Sequence, residues 1–329
     1  MQKSEPKIIV IGGGTGSFTL LSALKNHTNN ITALVNMADD GGSTGVLRDE
    51  LGVLPPGDVR QCLVALSSAP EEVRELFNFR FPRGTFRGHN FGNLFLSAVE
   101  KMNNGNFNEA VRVAGDVLQI HGSVLPITLD KCELVCKLGK KTVKGQRKID
   151  LTTFQPGTKP RFSFKKSATI NPEAEQAIIA ADLIVIAPGG LYGSLVPALL
   201  VDGVGRTLRA TKAKVVYVCN LVNKPNHTQD FAVHDYANEI ERFTSPGVLD
   251  CVLYNLDEPS AGLLKRYAEE GDYPVKIDDK ALRQAGYTSI GGAFLSHEHR
   301  KRNRSDSFIK RSLIRHDGEA IAEALIKLL

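Results

Sequence analysis

The chain of 329 residues lacks any apolar stretch that approaches the roughly 18 residues of a membrane-spanning helix. Its opening residues, Met1 to Pro6, lack the apolar core of a secretory signal peptide. Cysteine is scarce, and the five cysteines are scattered and odd in number, which favours reduced thiols over a disulfide framework. Because 42% of the residues are apolar and 23% are charged, a disordered or collagen-like chain is excluded. These absences predict a globular cytoplasmic protein without a membrane span.

Most of the chain also lacks an excess of positive charge, although the net charge is +5. Residues 137–166 hold ten basic and one acidic side chain, and residues 295–315 hold seven and two. The rest of the chain carries 24 basic and 33 acidic groups, which is unlike a uniformly basic domain that binds nucleic acid. We interpret the two basic strips as solvated faces, with an acidic protein partner or a second subunit of a homo-oligomer as the alternative.

Short β-branched runs alternate with amphipathic stretches, a pattern typical of a parallel sheet covered by helices. Strand 7–11, helix 17–25 and strand 31–35 form a first βαβ unit. A second α/β section has predicted strands at 183–187, 214–219, 248–254, 274–277 and 311–314, and predicted helices at 172–181, 194–210, 230–243, 260–270 and 318–329. The pattern predicts one α/β domain over residues 1–329, with a doubly wound, mostly parallel Rossmann-like sheet.

Two segments interrupt this alternation. Residues 46–118 contain five short amphipathic stretches separated by turns, which predicts a helical subdomain. Residues 124–150 alternate apolar and polar side chains around Gly139, which predicts a β-hairpin. Residues 151–170 contain two proline turns and are expected to form a loop.

The first strand ends in the glycine-rich run Gly12-Gly13-Gly14-Thr15-Gly16, directly before a helix. Glycines let a backbone approach an anion, and the amides of a helix N terminus supply donors, so the run predicts a phosphate site. A plain tight turn is the alternative. The run has neither the Gly-x-Gly-x-x-Gly spacing of dinucleotide-binding folds nor the Gly-Lys-Ser/Thr of a P-loop. The second strand ends at Asn36, where an NAD-binding fold would place an acidic residue, so NAD is not expected.

The loop after the second strand contains adjacent carboxylates, Asp39 and Asp40, followed shortly by Ser43 and Thr44. Such carboxylates can hold Mg²⁺ through waters or accept hydrogen bonds from a sugar or a base. Because neighbouring strand ends form a crevice in doubly wound sheets, we expect a ligand here. The alternative is a helix capped by Thr44 and two solvated acids.

Two further segments offer candidates for chemistry. Asp58 begins a helix with a capping-box pattern, so a ligand role for Asp58 or Arg60 is no better supported than a structural one. His89 could exchange a proton with a ligand, although the sequence shows no partner for it. The candidate catalytic residues are therefore Asp39, Asp40, Asp58 and His89.

A second glycine-rich junction, Pro188-Gly189-Gly190, follows the strand at 183–187 and precedes Tyr192 and Ser194 at the start of a helix. Its pattern repeats the first junction. Two helix N termini could therefore face one diphosphate.

Six motifs, in this order, resemble the gluconeogenesis factor family, a CofD-like family related to the 2-phospho-L-lactate transferases of coenzyme F420 synthesis. They are Gly12-Gly13-Gly14-Thr15-Gly16, the run from Asn36 to Arg48 with Asp39-Asp40-Gly41-Gly42, the run from Pro55 to Leu63, Gly88-His89 with Gly92-Asn93-Leu94, Ala187-Pro188-Gly189 with Leu191-Tyr192, and Cys219-Asn220-Leu221. They span nearly the whole chain. The Pro-Pro-Gly-Asp and Gly-His-x-x-Gly-Asn segments favour the gluconeogenesis factor branch over the transferases.

The resemblance implies a bacterial cytoplasmic protein that binds a UDP-sugar such as UDP-N-acetylglucosamine and affects carbon metabolism and cell shape. It implies no firm reaction. The alternative is a phospho-transferase that takes a phospholactyl-like group from a nucleoside diphosphate carrier, with Mg²⁺ held by acidic residues such as Asp39 and Asp40. The residues expected to contact the nucleotide ligand are Gly12, Gly13, Gly14, Thr15, Gly16, Asn36, Asp39, Asp40, Ser43, Thr44, Arg60, Asn90, Asn93, Pro188, Gly189, Gly190, Tyr192, Ser194 and Asn220.

The chain departs from the family pattern at two places. Gly190 and Gly193 stand where the family usually has Ser and Thr, and Asn226-His227-Thr228 replaces its usual Gly-Glu-Thr. Two hydroxyl groups and one carboxylate expected near the ligand are therefore missing, which bears on the identity of the ligand more than on the fold.

Overall fold

The computed structural model of the protein describes residues 5–155, 157–297 and 313–329. The strands in these ranges are β1 (Ile8–Gly12), β2 (Ile31–Val35), β3 (Ser123–Pro126), β4 (Leu134–Leu138), β5 (Lys141–Lys144), β6 (Arg161–Phe164), β7 (Leu183–Ile186), β8 (Lys214–Val218), β9 (Cys251–Asn255) and β10 (Thr288–Gly292). The helices are α1 (Gly14–Leu24), α2 (Gly42–Leu51), α3 (Gly57–Leu66), α4 (Glu71–Asn78), α5 (Phe91–Met102), α6 (Phe107–Leu118), α7 (Gln146–Asp150), α8 (Pro172–Ile179), α9 (Val196–Leu199), α10 (Val204–Ala210), α11 (Val233–Phe243), α12 (Ala261–Glu269), α13 (Asp279–Gln284) and α14 (Gly318–Ile326), and a π-helical turn (Leu191–Leu195) precedes α9.

The main sheet is parallel, with the strand order β3-β2-β1-β7-β8-β9-β10. Every residue of β1 and β7 is buried, as expected for strands rich in Val and Ile that helices cover on both faces. Ile8 of β1 lies opposite both Ile31 of β2 and Leu183 of β7. The chain order reverses between β1 and β7, and such a switch point is where open α/β sheets bind ligands. The predicted doubly wound, mostly parallel sheet is confirmed.

The second sheet is small and antiparallel, with the order β5-β4-β6. The hairpin predicted over 124–150 is confirmed for β4 and β5, but its first residues belong to β3 of the main sheet and its last residues form α7. The predicted loop at 151–170 contains β6, in which Phe162 lies opposite Cys136 of β4. A four-residue strand gives too short an alternation to recognise among lysines and prolines.

Two of the predicted helices differ from the structure near the glycine-rich junctions. α1 begins at Gly14 rather than at residue 17, so the glycine-rich run forms its first turn. The helix predicted over 194–210 is divided into the π-helical turn, α9 and α10, and Gly203 interrupts it with a φ of 100°. A glycine in this left-handed region ends regular helix at little steric cost.

The prediction of the last strands was wrong. Residues 274–277 make only isolated bridges, and the edge strand beyond β9 is β10 instead. β10 ends in Gly291 and Gly292, which have no side chains to display a strand pattern. Of the strand predicted at 311–314, residues 311 and 312 lie outside the described residues, and residues 313 and 314 are not in a strand.

Helices α2 to α6 lie between β2 and β3 in the chain, where the helical insertion was predicted. α3 packs on α1, and its side chain Leu63 belongs to the same apolar core as Ile8 of β1 and Phe162 of β6. α14 also packs on α1, and its Glu319 makes a hydrogen bond with His27, just beyond the end of α1. Among the helices in the described ranges, none combines the length and the apolar character needed to cross a bilayer.

One acidic side chain is buried in the helical layer. Glu100 of α5 is 4% exposed, and the amide of Leu54 donates to its two carboxylate oxygens at 3.2 and 3.3 Å. Burial raises the pKa of Glu100 to about 7. The folded protein therefore retains a proton that the unfolded chain releases above the ordinary pKa of 4.5.

We expect this proton to make stability depend on pH. Because the pKa of Glu100 is raised in the folded state, its contribution to stability is complete below pH 4.5 and is lost as the pH rises through about 7. Glu100→Gln keeps an acceptor for the Leu54 amide without a charge, so its Tm should match that of the wild type near pH 5 and exceed it near pH 8, as measured by calorimetry. The exposed Glu50→Gln change is the control, and an unchanged pH dependence in Glu100→Gln would contradict the assignment.

Candidate functional site

The glycine-rich loops that follow β1 and β7 touch each other at the switch point. A Cβ atom on Gly16 would overlap the carbonyl oxygen of Pro188, so only glycine permits this contact. Gly12 and Gly13 are buried, whereas Thr15 is exposed at the first turn of α1. The structure thus brings together the two junctions that the sequence predicted to face one ligand.

A carboxylate of the protein itself lies at the N terminus of α1. Asp58, in the first turn of α3, accepts a hydrogen bond from the backbone amide of Gly14. A Cβ atom on Gly13 would overlap the Asp58 carboxylate, so the glycine makes room for it. The positive end of the α1 dipole, where a phosphate was predicted, is therefore already adjacent to an acidic group.

Asp39 lies beside Asp58 and completes a pair of carboxyl groups. Its carboxylate accepts hydrogen bonds from the amide of Gly41, at 2.9 Å, and from the hydroxyl of Thr44. Burial, and then the charge of Asp39, raise the pKa of Asp58 to about 7, while the positive charge of Arg60 opposes the shift. Burial also raises the pKa of Asp39. The two groups therefore repel each other at neutral pH.

Asp40 takes a different direction from its neighbour. Its carboxylate accepts a hydrogen bond of 2.7 Å from the amide of Arg147, in α7. A Cβ atom on Gly145 would lie 2.7 Å from the second carboxylate oxygen. Asp39 and Asp40, predicted to share a metal ion, thus contact different elements. Within the described residues, no group of three or more His, Cys, Asp and Glu side chains is arranged to hold a metal ion.

The loop after β8 supplies an amide and an ammonium group to the second junction. The side chain of Asn220 accepts a hydrogen bond from the amide of Gly189 at 3.2 Å and donates to the carbonyl of the same residue at 2.7 Å. A Cβ atom on Gly190 would lie 3.4 Å from the Nζ atom of Lys224, so this ammonium group lies over the glycine. Sequence reasoning missed Lys224, although its position in the loop directly after a strand was a usable signal.

Asp150, at the end of α7, reaches between these loops. A Cβ atom on Gly193 would overlap its carboxylate, so the glycine that departs from the family pattern makes room for an acidic group. Burial raises the pKa of Asp150, and the charge of Lys224 opposes the shift. The Nε2 atom of His227 donates to the carbonyl of Ile149 at 3.0 Å, and burial lowers the pKa of this histidine. His227 is therefore a neutral imidazole that stabilises the end of α7 through this hydrogen bond.

A cavity of about 560 Å³ opens beside Asp39, between α2, α3 and the loop before α5. Its lining includes six of the predicted site residues and several that were not predicted. The lining residues are Asp39, Gly41, Gly42, Ser43, Thr44, Val46, Gly57, Arg60, Gln61, Arg80, Arg87, Gly88, His89 and Asn93. The volume falls within the range usual for small-molecule sites.

Arginines form one wall of the cavity. Arg60 is 6% exposed and donates to the side-chain oxygens of Asn93, at 3.0 Å, and of Asn78. Arg80 donates to the carbonyl of Gly88, and burial lowers its pKa. Arg87 is exposed. Arg80 and Arg87 were missed because a loop has no periodicity, although a run with arginines and two glycines was visible.

His89 lies on the same wall. Its amide donates to the carbonyl of Phe86, and its carbonyl accepts from the amide of Phe81. The Nδ1 atom is buried and has no hydrogen-bond partner among the described residues. The structure thus places this candidate acid–base group on the wall of the cavity that Asp39 also lines.

The remaining predicted residues make contacts within the fold. The side chain of Asn36 accepts a hydrogen bond from the amide of Ala38. Asn90 caps α5 by accepting from the amide of Asn93. Tyr192 is buried, and its hydroxyl donates to Glu239 while its ring stacks on Phe162. Ser194, in the π-helical turn, donates its amide to the carbonyl of Gly190.

The first basic strip adjoins the site. Residues 137–166 include the end of β4 and all of β5, α7 and β6, and α7 contacts Asp40 through the amide of Arg147. In the described chain, Lys165 of this strip pairs with Glu133 at 2.8 Å. The second strip, 295–315, lies largely outside the described residues.

Comparisons with known proteins agree with the fold and the motifs. A family model described as 2-phospho-L-lactate transferase CofD matches residues 8–295. The gluconeogenesis factor of Bacillus subtilis is 35% identical over 327 residues, which is 99% of this chain and 98% of that protein. A protein of Clostridium acetobutylicum with gluconeogenesis factor in its name is 38% identical and covers 98% of this chain, which in turn spans 70% of that protein.

A solved structure extends the similarity to three dimensions. The crystal structure of a protein from Bacillus halodurans superposes with a TM-score of 0.88 at 32% identity, and the match covers 98% of this chain and 100% of that one. Fold, motif order and overall similarity therefore agree, and the chain belongs to the CofD family, among the relatives that are named gluconeogenesis factors.

Proposed function

We propose that the protein binds a nucleotide sugar such as UDP-N-acetylglucosamine at the β1/β7 switch point, and that it acts through this binding on carbon metabolism and cell shape. The observation that carries the proposal is the contact between two glycine-rich junctions with the ammonium group of Lys224 beside them. A backbone without side chains lets a diphosphate approach the amides, and a nearby positive charge attracts its oxygens. The relatives named gluconeogenesis factors support a role in carbon metabolism.

The diphosphate would lie against Gly14 and Gly190, which are both half-buried and accessible. Lys224 would donate to its oxygens, since a charged donor makes a stronger hydrogen bond than a neutral one. Asp39 and Asp58 bring negative charge to the same region, and repulsion between them and a diphosphate must be offset.

The two carboxyl groups fit Mg²⁺. Burial raises the pKa of both groups, and no positive side chain in the described part of the chain fully offsets the cost of ionising them. Carboxylate and phosphate oxygens are the ligands that Mg²⁺ prefers. A bound Mg²⁺ would supply the positive charge that lets Asp39, Asp58 and a diphosphate share this crevice.

We expect UDP-N-acetylglucosamine with Mg²⁺ to raise the Tm of the wild type. Lys224→Gln should weaken its binding by about tenfold or more in calorimetric titration, because a hydrogen bond to a charged group is lost. Lys212→Gln is the matched control, since Lys212 is exposed just before β8, at the opposite end of that strand. Unchanged affinity in Lys224→Gln, or a Tm shift with GDP and with no UDP-sugar, would count against the proposal.

Binding without Mg²⁺ should depend on the protonation of Asp58. Because the pKa of Asp58 is about 7, this group is mostly neutral near pH 6 and ionised near pH 8. The diphosphate diester of the ligand does not titrate in this interval, so its affinity in a chelator should fall as the pH rises. Asp58→Asn should remove most of this fall, and so should added Mg²⁺ in the wild type. Asp116→Asn, on an exposed face of α6, is the control for the effect of net charge alone. If the affinity of Asp58→Asn falls with pH as much as that of the wild type, the assignment is contradicted.

A phospho-transferase is the second candidate function. It is favoured by the position of the Asp39–Asp58 pair beside the proposed diphosphate and by the name of the matching family model. In such a transfer an acceptor hydroxyl would attack the phosphorus of the phospholactyl-like group, the ionised Asp58 would take the hydroxyl proton, and a nucleoside monophosphate would leave.

This activity would release a nucleoside monophosphate that chromatography can measure. We expect release to require a flavin-like acceptor and Mg²⁺, and to fall at least about a hundredfold in Asp58→Asn, because general base catalysis contributes that much. Arg83→Ala, an exposed change in the loop before α5, is the control. If the wild type releases no nucleoside monophosphate with any acceptor tested, the transferase function is contradicted and only the binding function remains.

A further inference from the structure

The cavity beside Asp39 has a strongly cationic wall that the switch-point site does not use. Arg60, Arg80 and Arg87 line it from α3 and from the loop before α5. Asp39 is the acidic side chain among its lining residues, and it is already bonded to Gly41 and Thr44. The cavity therefore carries an excess of positive charge in a region partly shielded from water.

Two of the arginines donate hydrogen bonds to neutral acceptors. Amide oxygens of Asn78 and Asn93 fix the guanidinium of Arg60, and a backbone carbonyl fixes that of Arg80. A neutral acceptor orients the guanidinium of Arg80 without cancelling its charge, whereas the charge of Arg60 also acts on Asp58. Arg87 has no acidic partner within 4 Å among the described residues.

A helix end faces the same space. Gly42, Ser43 and Thr44, in the first turn of the ten-residue α2, line the cavity, and Asp39 accepts a hydrogen bond from the amide of Gly41 just before them. A Cβ atom on Gly42 would meet nothing within 4 Å, so a ligand can approach the backbone here. The buried Nδ1 atom of His89, which lacks a partner among the described residues, is a further polar group on the wall.

We infer that this cavity is a second anion site, and that it binds the phosphate group of a small phosphate monoester independently of the nucleotide sugar. Planar guanidinium groups pair with phosphate oxygens in a bidentate manner, and the α2 amides add donors. The cavity volume of about 560 Å³ is far larger than one phosphate, so it has room for an organic group on the ester. The protein then has two ligands, bound on either side of Asp39.

The test uses the full chain and two probes, inorganic phosphate and phenyl phosphate, followed by calorimetric titration and phosphorus NMR. Arg87→Ala should weaken the binding of both probes by about tenfold, because a charged hydrogen-bond donor is lost. Arg87 is exposed, so its removal leaves the fold intact. Arg83→Ala is the matched control, since Arg83 is exposed in the same loop and does not line the cavity. Phenyl phosphate should bind more tightly than inorganic phosphate in the wild type.

A competition experiment separates this inference from the proposed function. Phenyl phosphate should bind with unchanged affinity when UDP-N-acetylglucosamine is saturating, and Lys224→Gln should leave its affinity unchanged. Equal binding in Arg87→Ala and the wild type, no binding of either probe, or displacement by the nucleotide sugar would overturn the inference. If UDP-N-acetylglucosamine itself does not bind while Arg87→Ala still weakens phenyl phosphate, the second anion site stands and the nucleotide-sugar proposal fails.

Discussion

The hydrogen bond from the Gly14 amide to the Asp58 carboxylate organises the site. It joins the first turn of α1 to the first turn of α3, and Gly13 must lack a side chain for the two turns to come so close. The charge of Asp39 raises the pKa of the same carboxylate, and the charge of Arg60, two residues further along α3, opposes the shift. Gly13, Gly14, Asp39 and Arg60 thus all lie around Asp58.

The distribution of charge follows from this arrangement. Acidic groups gather at the switch point, where Asp39, Asp40, Asp58 and Asp150 approach the strand ends. Cationic groups lie on both sides of them, with Lys224 at one side and the cavity arginines at the other. A site with acidic and cationic groups side by side favours an anionic ligand that is bound together with a cation. The anion would pair with the cationic side chains, and the cation with the acidic ones.

Sequence reasoning recovered what local pattern determines. The buried run of β1, the glycines before α1 and the Asp39-Asp40 loop each follow a strand directly, and their meeting at a switch point follows from parallel topology. It did not recover β10, whose glycines display no alternation, or the contact of Asp150 with Gly193, which depends on how the small sheet docks. Nor could it show that Asp40 turns away from Asp39, because side-chain direction in a loop depends on partners distant in the chain.

The short helix α7 has a mechanical consequence. It holds Asp40, after β2, through its first turn and is held by His227, after β8, at its end. β2 and β8 belong to opposite halves of the main sheet, on either side of the β1/β7 pair. α7 therefore bridges the two halves at this edge, in addition to the pairing of β1 with β7. A ligand bound in this crevice would meet walls that α7 already joins, so less conformational entropy would be lost on binding than in an unbraced crevice.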